Sequence, residues 1–214
     1  MELLNVVTAR SAWLFDIAEL NPRGRDMTAL IYWMREKYSF QQAPKSGTDV
    51  DDTRALAFKL GTFRQVHVAD LKIYNDGVIA TTISSTDDTD SFLEDALRSA
   101  ATDFGLAYRP QTVARKLYQS ELNVRSDKML NLNPKLPEFA AKISKVYPSG
   151  NVQFDFAGVG FWPDLIFTPL ANMPFVFERK NNTLPQDRKY FSKAPLETKK
   201  HLALLEEFEA EFMS

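Results

Sequence analysis

The chain contains no cysteine among its 214 residues and only two histidines. The missing cysteine excludes disulfides, thiol catalysis and cysteine-based zinc sites. No apolar run approaches the ~18 residues that a membrane span needs, so we expect no membrane partner. The first residues lack the basic start and long apolar stretch of a secretory signal. We therefore expect a cytoplasmic protein.

The sequence also lacks a strong net charge and the common cofactor motifs. Lysine and arginine number 26 and acidic residues 28, which gives a net charge of −2 and no global field toward nucleic acid or acidic membranes. There is no P-loop, no dinucleotide-binding glycine motif, and no serine flanked by nucleophile-elbow glycines. The sequence therefore predicts no cofactor, unless the magnesium-dependent alternative below applies.

The most clearly patterned stretch runs from residue 66 to residue 105. Residues 66–74 alternate as a half-buried strand does, and 78–83 form a β-branched return strand. Between them, Asn75-Asp76-Gly77 is typical of a tight hairpin turn. The serines, threonine and aspartates of 84–88 can cap a helix, and Gly105 stands where such a helix would end. We predict a strand–strand–helix unit here.

The remaining periodicities repeat the same kinds of element on both sides of this unit. They predict strands at 6–20, 55–63, 152–156 and 175–177, an alternating segment within 113–130, and helices at 27–38, 139–147 and 196–212. In the first strand, Trp13 and Phe15 should face the core. Leu20-Asn21-Pro22-Arg23 precedes one predicted helix, and the similar Leu132-Asn133-Pro134-Lys135 precedes another.

This repetition predicts an α+β protein built from two internally duplicated β-α-β-β-α units of ferredoxin-like type. We expect a mostly antiparallel sheet with amphipathic helices packed on one face. The two repeats would span residues 1–108 and 109–214, either as two domains or within one continuous domain. The uncovered sheet face would then be available to a ligand or partner.

One constellation near the C-terminus carries candidate chemistry. Pro163-Asp164 is followed at a short distance by Glu178-Arg179-Lys180. This pattern resembles the PD-(D/E)xK nuclease signature. The resemblance implies that Asp164 and Glu178 hold Mg²⁺ and that Lys180 orients or activates the attacking water. Carboxylate oxygens are the ligands that Mg²⁺ prefers, and strand periodicity places Glu178 and Lys180 on one face.

Two classes of function remain open. The leading hypothesis is a non-catalytic partner-binding or assembly module in a cytoplasmic protein complex, with another protein or a second copy of the chain as partner. It rests on the scarcity of catalytic residue types and on the strand edges and aromatic side chains available for contact. The alternative is a Mg²⁺-dependent nuclease or phosphodiesterase that uses Asp164, Glu178 and Lys180. Nucleic-acid binding without cleavage also remains open, and in either case a nucleic acid would be contacted through Arg179, Lys180, Arg188 and Lys189.

Overall fold

A computed structural model describes residues 1–24, 28–45, 55–130, 132–148, 152–163 and 173–213. Within these ranges the chain has an α+β fold with eight strands and five α-helices. The strands are β1 (Glu2–Leu14), β2 (Leu56–Phe63), β3 (Val66–Tyr74), β4 (Gly77–Thr82), β5 (Arg115–Arg125), β6 (Gly158–Phe161), β7 (Phe175–Arg179) and β8 (Lys189–Ala194). The helices are α1 (Ile17–Leu20), α2 (Thr28–Lys37), α3 (Thr86–Phe104), α4 (Lys135–Val146) and α5 (Thr198–Phe212).

The strands follow the order β2-β3-β4-β1-β5-β8-β7-β6 in an antiparallel sheet. The chain order differs from the predicted β-α-β-β-α pattern, because three strands lie between the first strand and the last helix of each half. In the second half the extra strand is β8, whose inward residues Tyr190, Ser192 and Ala194 do not form an apolar row in the sequence. Residues 152–156, predicted as a strand, lie outside regular structure, and β6 begins at Gly158.

The chain divides into two compact units. One comprises Val6–Ser120 with Pro195–Thr198, and the other comprises Met1–Asn5, Glu121–Ala194 and Lys199–Ser214. Strands β1 and β5 contribute residues to both units. The boundary predicted after residue 108 stays a prediction. No described helix has the length and apolar character of a membrane-spanning segment.

The predicted strand–strand–helix unit is confirmed in the first of these units. The β3–β4 hairpin closes at Gly77, where φ is 152° and a β-carbon would lie 2.2 Å from the carbonyl oxygen of Trp13. Ser85 caps α3 by accepting the backbone N–H of Asp88 at 3.0 Å, and Gly105 ends the helix with a left-handed φ of 62°. Only glycine meets both demands at the turn.

The core of this unit lies between α2, α3 and one face of the sheet. It buries Trp13 and Phe15, as predicted, with Leu30, Ile31 and Met34 of α2, Phe92 and Leu93 of α3, and Phe58 and Leu71 of the sheet. Asp90 of α3 accepts hydrogen bonds from the Trp13 indole and the Tyr118 hydroxyl, both at 2.9 Å. This carboxylate therefore ties the helix to β1 and β5.

The other unit packs α5 on β7 and β8. The Phe208 ring of α5 lies 5.0 Å from the Phe177 ring of β7, and Leu205 is fully buried. Tyr190 of β8 stacks on Phe177 at 4.7 Å. These contacts place one face of β7 and β8 in the core, and on β7 they leave Glu178 on the opposite face.

Candidate binding site

The nuclease residues predicted from the sequence are only partly within the described chain. Asp164 lies outside it. Glu178 is a half-buried residue of β7, paired with Gly158 of β6 and Phe191 of β8. Lys180 follows the end of β7, where its backbone N–H donates to the carbonyl of Lys189 at 2.9 Å. Among the described residues no group of three or more histidine and acidic side chains is arranged to hold a metal ion. The nuclease hypothesis stays a prediction.

The four basic residues expected to face a nucleic acid have different surroundings. Arg179 forms an ion pair with Asp155, with its Nη1 atom 2.8 Å from the carboxylate. Arg188 adopts a left-handed φ of 50° and donates from its guanidinium to the carbonyl of Asp127. Lys180 and Lys189 are joined through their backbones. The two arginines are thus each engaged with a neighbouring loop residue.

The face of β1, β3 and β4 turned away from α2 and α3 carries a chain of hydrogen bonds. Arg10 donates to Thr81 at 3.2 Å and to Gln119 at 3.0 Å. The Thr81 hydroxyl donates to Asp70 at 3.2 Å. This is the face on which we expected a ligand or partner, and its polar groups bond with one another.

A serine–histidine pair lies in the core beneath β8. The Oγ atom of Ser192 is 2.8 Å from Nε2 of His201, and both residues are fully buried. The serine hydroxyl donates its hydrogen to the carbonyl of Val176 at 2.7 Å. The imidazole must therefore donate to the serine, since a hydroxyl carries one hydrogen. In this arrangement the pair ties α5 to β8 and, through Val176, to β7.

One cavity of the described chain belongs to the unit that contains α4. Its volume is about 320 Å³. It lies between α4, the segment that precedes β6, and strands β7 and β8. Its lining residues are Met129, Leu130, Pro137, Asp155, Phe156, Ala157, Arg179, Pro185 and Tyr190. The lining therefore combines apolar side chains with a comparable share of polar surface, and the Arg179–Asp155 ion pair and the Tyr190 hydroxyl belong to the polar part.

Hydrogen bonds hold the polar wall of this cavity in place. The backbone N–H of Arg179 donates to the carbonyl of Ala157 at 2.7 Å, and Asp155 accepts the N–H of Phe156 at 2.8 Å. The Tyr190 hydroxyl accepts the N–H of Leu130 at 3.2 Å. Burial raises the pKa of Tyr190, while the positive charges of Arg188 and Arg179 act in the opposite direction. The hydroxyl is neutral and fixed.

Helix α4 presents an apolar edge to solvent. Phe139 is 62% exposed and Val146 is 80% exposed, and Ala140 is the buried residue of the helix. Lys135 and Lys142 flank this edge, because helical spacing places them beside Phe139 and Val146. We call Phe139, Val146 and these two lysines the α4 edge. By contrast, α2 of the first half buries Leu30, Ile31 and Met34.

Sequence reasoning missed both the cavity and the α4 edge. It predicted the apolar side of α4 from periodicity, but periodicity does not show which part of that side is covered. It also missed β8, which supplies Tyr190 to the cavity. Comparison of the chain with known protein families gave no matching family, and comparison with curated proteins gave no matching relative.

Proposed function

We propose that this chain is a non-catalytic assembly module that associates with further copies of itself. The observation that carries the proposal is the α4 edge, where an aromatic and a β-branched side chain stand exposed beside two lysines. A helix of this kind that leaves apolar side chains in water gains free energy by burying them against a partner. An edge with lysines favours a partner surface that is acidic and apolar.

The chain itself carries such a surface on α5. Leu204 is 38% exposed on that helix, and Glu207 and Glu211 are exposed on the same side. The spacing i, i+3 and i+7 aligns the three residues along one face. The α4 edge of one copy and this face of α5 in a second copy are complementary in charge and in apolar character. Because the two surfaces differ, the contact is heterologous and leads to rings or longer chains.

Sedimentation velocity over a roughly hundredfold range of protein concentration tests this, because self-association follows mass action. The wild type is expected to shift toward larger species as concentration rises. Phe139→Ser should weaken association roughly tenfold or more, since a buried phenylalanine contributes about 1.5–3 kcal/mol. Tyr32→Ser is the matched control, because Tyr32 is 58% exposed on α2. That variant should associate as the wild type does.

Charge reversal tests the orientation of the contact. Lys142→Glu and Glu207→Lys should each weaken association, and an equimolar mixture of the two single variants should restore it, because both contacts between unlike copies then join opposite charges. A chain that stays monomeric throughout, or equal effects of Phe139→Ser and Tyr32→Ser, would contradict the proposal. Metal-dependent cleavage of DNA or RNA that Glu178→Ala abolishes would replace it with the nuclease alternative.

An internal duplication of the two halves is also part of this proposal. Two spacings support it. Strand β8 begins 112 residues after β4, and α5 begins at Thr198, 112 residues after α3 begins at Thr86. The two Leu-Asn-Pro sequences share that interval. The sheet order reads β2-β3-β4-β1 and then, in reverse, the corresponding β5-β8-β7-β6. Under this interpretation α4 is the counterpart of α2 that has been freed for contact.

A further inference from the structure

The cavity beside α4 has the size and lining of a small-molecule site. Its volume of about 320 Å³ falls within the range of roughly 300–1,000 Å³ typical of ligand pockets. Met129, Leu130 and Phe156 give it an apolar wall that would cover the body of a ligand. A mainly apolar wall with a few placed polar groups is the usual composition of such sites.

Arg179 supplies the group that would orient a ligand. Its position on β7 is fixed by the backbone hydrogen bond to Ala157. Within the described chain its side chain makes one hydrogen bond, to Asp155, whereas a guanidinium has five N–H donors. The planar fork of an arginine matches a carboxylate, with two parallel N–H···O bonds. Among the described residues, therefore, donors remain for an anionic group that enters the cavity.

Asp155 limits the charge that the cavity accepts. Its carboxylate lies 2.8 Å from the Arg179 guanidinium and is held there by the N–H of Phe156. A ligand anion bound to Arg179 would lie near this negative charge. The desolvation cost of an anion rises with the square of its charge, whereas its attraction to an already neutralised ion pair rises only linearly, so a doubly charged phosphate is disfavoured at the same position. The ion pair therefore favours a monoanion.

Tyr190 gives the cavity a rigid wall. Its ring stacks on Phe177 and its hydroxyl is held by the N–H of Leu130, so both ends of the side chain are fixed. A preformed wall reduces the ordering cost of binding. From the apolar lining, the arginine fork and the neighbouring carboxylate, we propose that this cavity binds a small apolar monocarboxylate, with the carboxylate on Arg179 and the apolar body against Leu130 and Phe156.

Three probes with one rigid apolar body and different head groups test the proposal in the full chain: naphthoate, naphthalenemethanol and naphthyl phosphate. Isothermal titration calorimetry measures each affinity. Naphthoate is expected to bind at least roughly tenfold more tightly than the neutral alcohol, because hydrogen bonds to a charged group contribute a free energy equivalent to about a tenfold change in affinity. Naphthyl phosphate should bind more weakly than naphthoate.

Variants assign the binding to the cavity. Arg179→Gln should lower the naphthoate affinity roughly tenfold and leave the alcohol unchanged, since only the carboxylate uses the guanidinium. Lys180→Gln is the matched control, because it removes the same charge one residue further on and does not line the cavity. Asp155→Asn should raise the affinity for naphthoate and the affinity for naphthyl phosphate. This gain does not depend on the fold tolerating the loss of Arg179.

Each contrary result has a definite meaning. Equal affinity for naphthoate and the alcohol would overturn the role of Arg179, and tighter binding of the phosphate would overturn the monoanion assignment. Absence of naphthoate binding to the wild type and to Asp155→Asn would overturn the site. None of these results bears on self-association, which is measured separately by sedimentation and uses residues outside the cavity lining.

Discussion

At the scale of single residues, two serines in the sheet are equally buried but differ in their hydrogen bonds. Ser11 and Ser192 have no exposed surface. Ser192 bonds to Val176 and His201, whereas Ser11 Oγ is the one buried side-chain oxygen or nitrogen without a partner in the described chain. A buried hydroxyl without a partner costs free energy that a bonded one does not.

The predicted consequence is opposite in sign for the two alanine variants. Ser11→Ala should leave the free energy of unfolding unchanged or raise it by up to about 1 kcal/mol. Ser192→Ala should lower it by about 1–3 kcal/mol, since it leaves the imidazole N–H of His201 buried without an acceptor. Urea unfolding followed by circular dichroism compares the two. Equal destabilisation by both variants would show that Ser11 has a partner in solution.

At the scale of elements, the helices α3 and α5 begin with reciprocal hydrogen bonds. The backbone N–H of Thr86 donates to the Thr198 hydroxyl at 3.0 Å, and that of Thr198 donates to the Thr86 hydroxyl at 2.9 Å. Both residues are buried. The first N–H groups of a helix have no partner inside it, so each threonine satisfies a donor of the other helix.

We predict that Thr198→Val lowers the free energy of unfolding by about 1–3 kcal/mol, because the buried N–H of Thr86 loses its acceptor while the side-chain shape is kept. Thr198→Ser retains the hydroxyl and should be destabilised less. Thermal unfolding of the three proteins at one concentration is the measurement. If the serine variant unfolds at a lower temperature than the valine variant, the methyl contact, and not the hydrogen bond, makes the larger contribution.

The elements also show which parts of the fold sequence periodicity can predict. It located the β3–β4 hairpin and α3 because alternation, turn residues and caps agree there. Alternation in the predicted strand 55–63 puts Leu60 on the same face as Leu56 and Phe58, but Leu60 has a left-handed φ of 57° and is 40% exposed. The buried residue is Gly61, where the Phe40 ring occupies the space of a β-carbon. Such a backbone reversal depends on a distant aromatic ring, so local sequence does not reveal it.

The candidate site was less accessible to prediction than the fold. The sequence drew attention to Glu178 and Lys180 through a short motif, whereas the cavity uses Arg179 between them. Its partner Asp155 lies in a segment predicted as a strand, and Tyr190 lies in a strand that was missed. Cavities form where elements fail to close on each other, and that depends on packing between segments far apart in sequence.

At the scale of the whole molecule, the buried imidazole of His201 links stability to pH. Burial lowers its pKa from 6.5 to about 4. The unfolded chain takes up the proton at the higher value, so the unfolded state binds more protons between these pH values. The stability that depends on a neutral His201 is therefore fully present above about pH 6.5, and it is lost as the pH falls toward 4.

We predict that the difference in unfolding free energy between the wild type and His201→Gln changes by about 2 kcal/mol between pH 7 and pH 5, with the wild type losing more. The comparison cancels the contributions to the unfolding free energy of the groups that titrate in both proteins. His67→Gln, which replaces an exposed histidine on β3, is the matched control and should follow the wild type. Urea unfolding at the two pH values measures the difference. A difference that does not vary with pH would contradict this prediction, because it would mean that the imidazole reaches water in the folded protein.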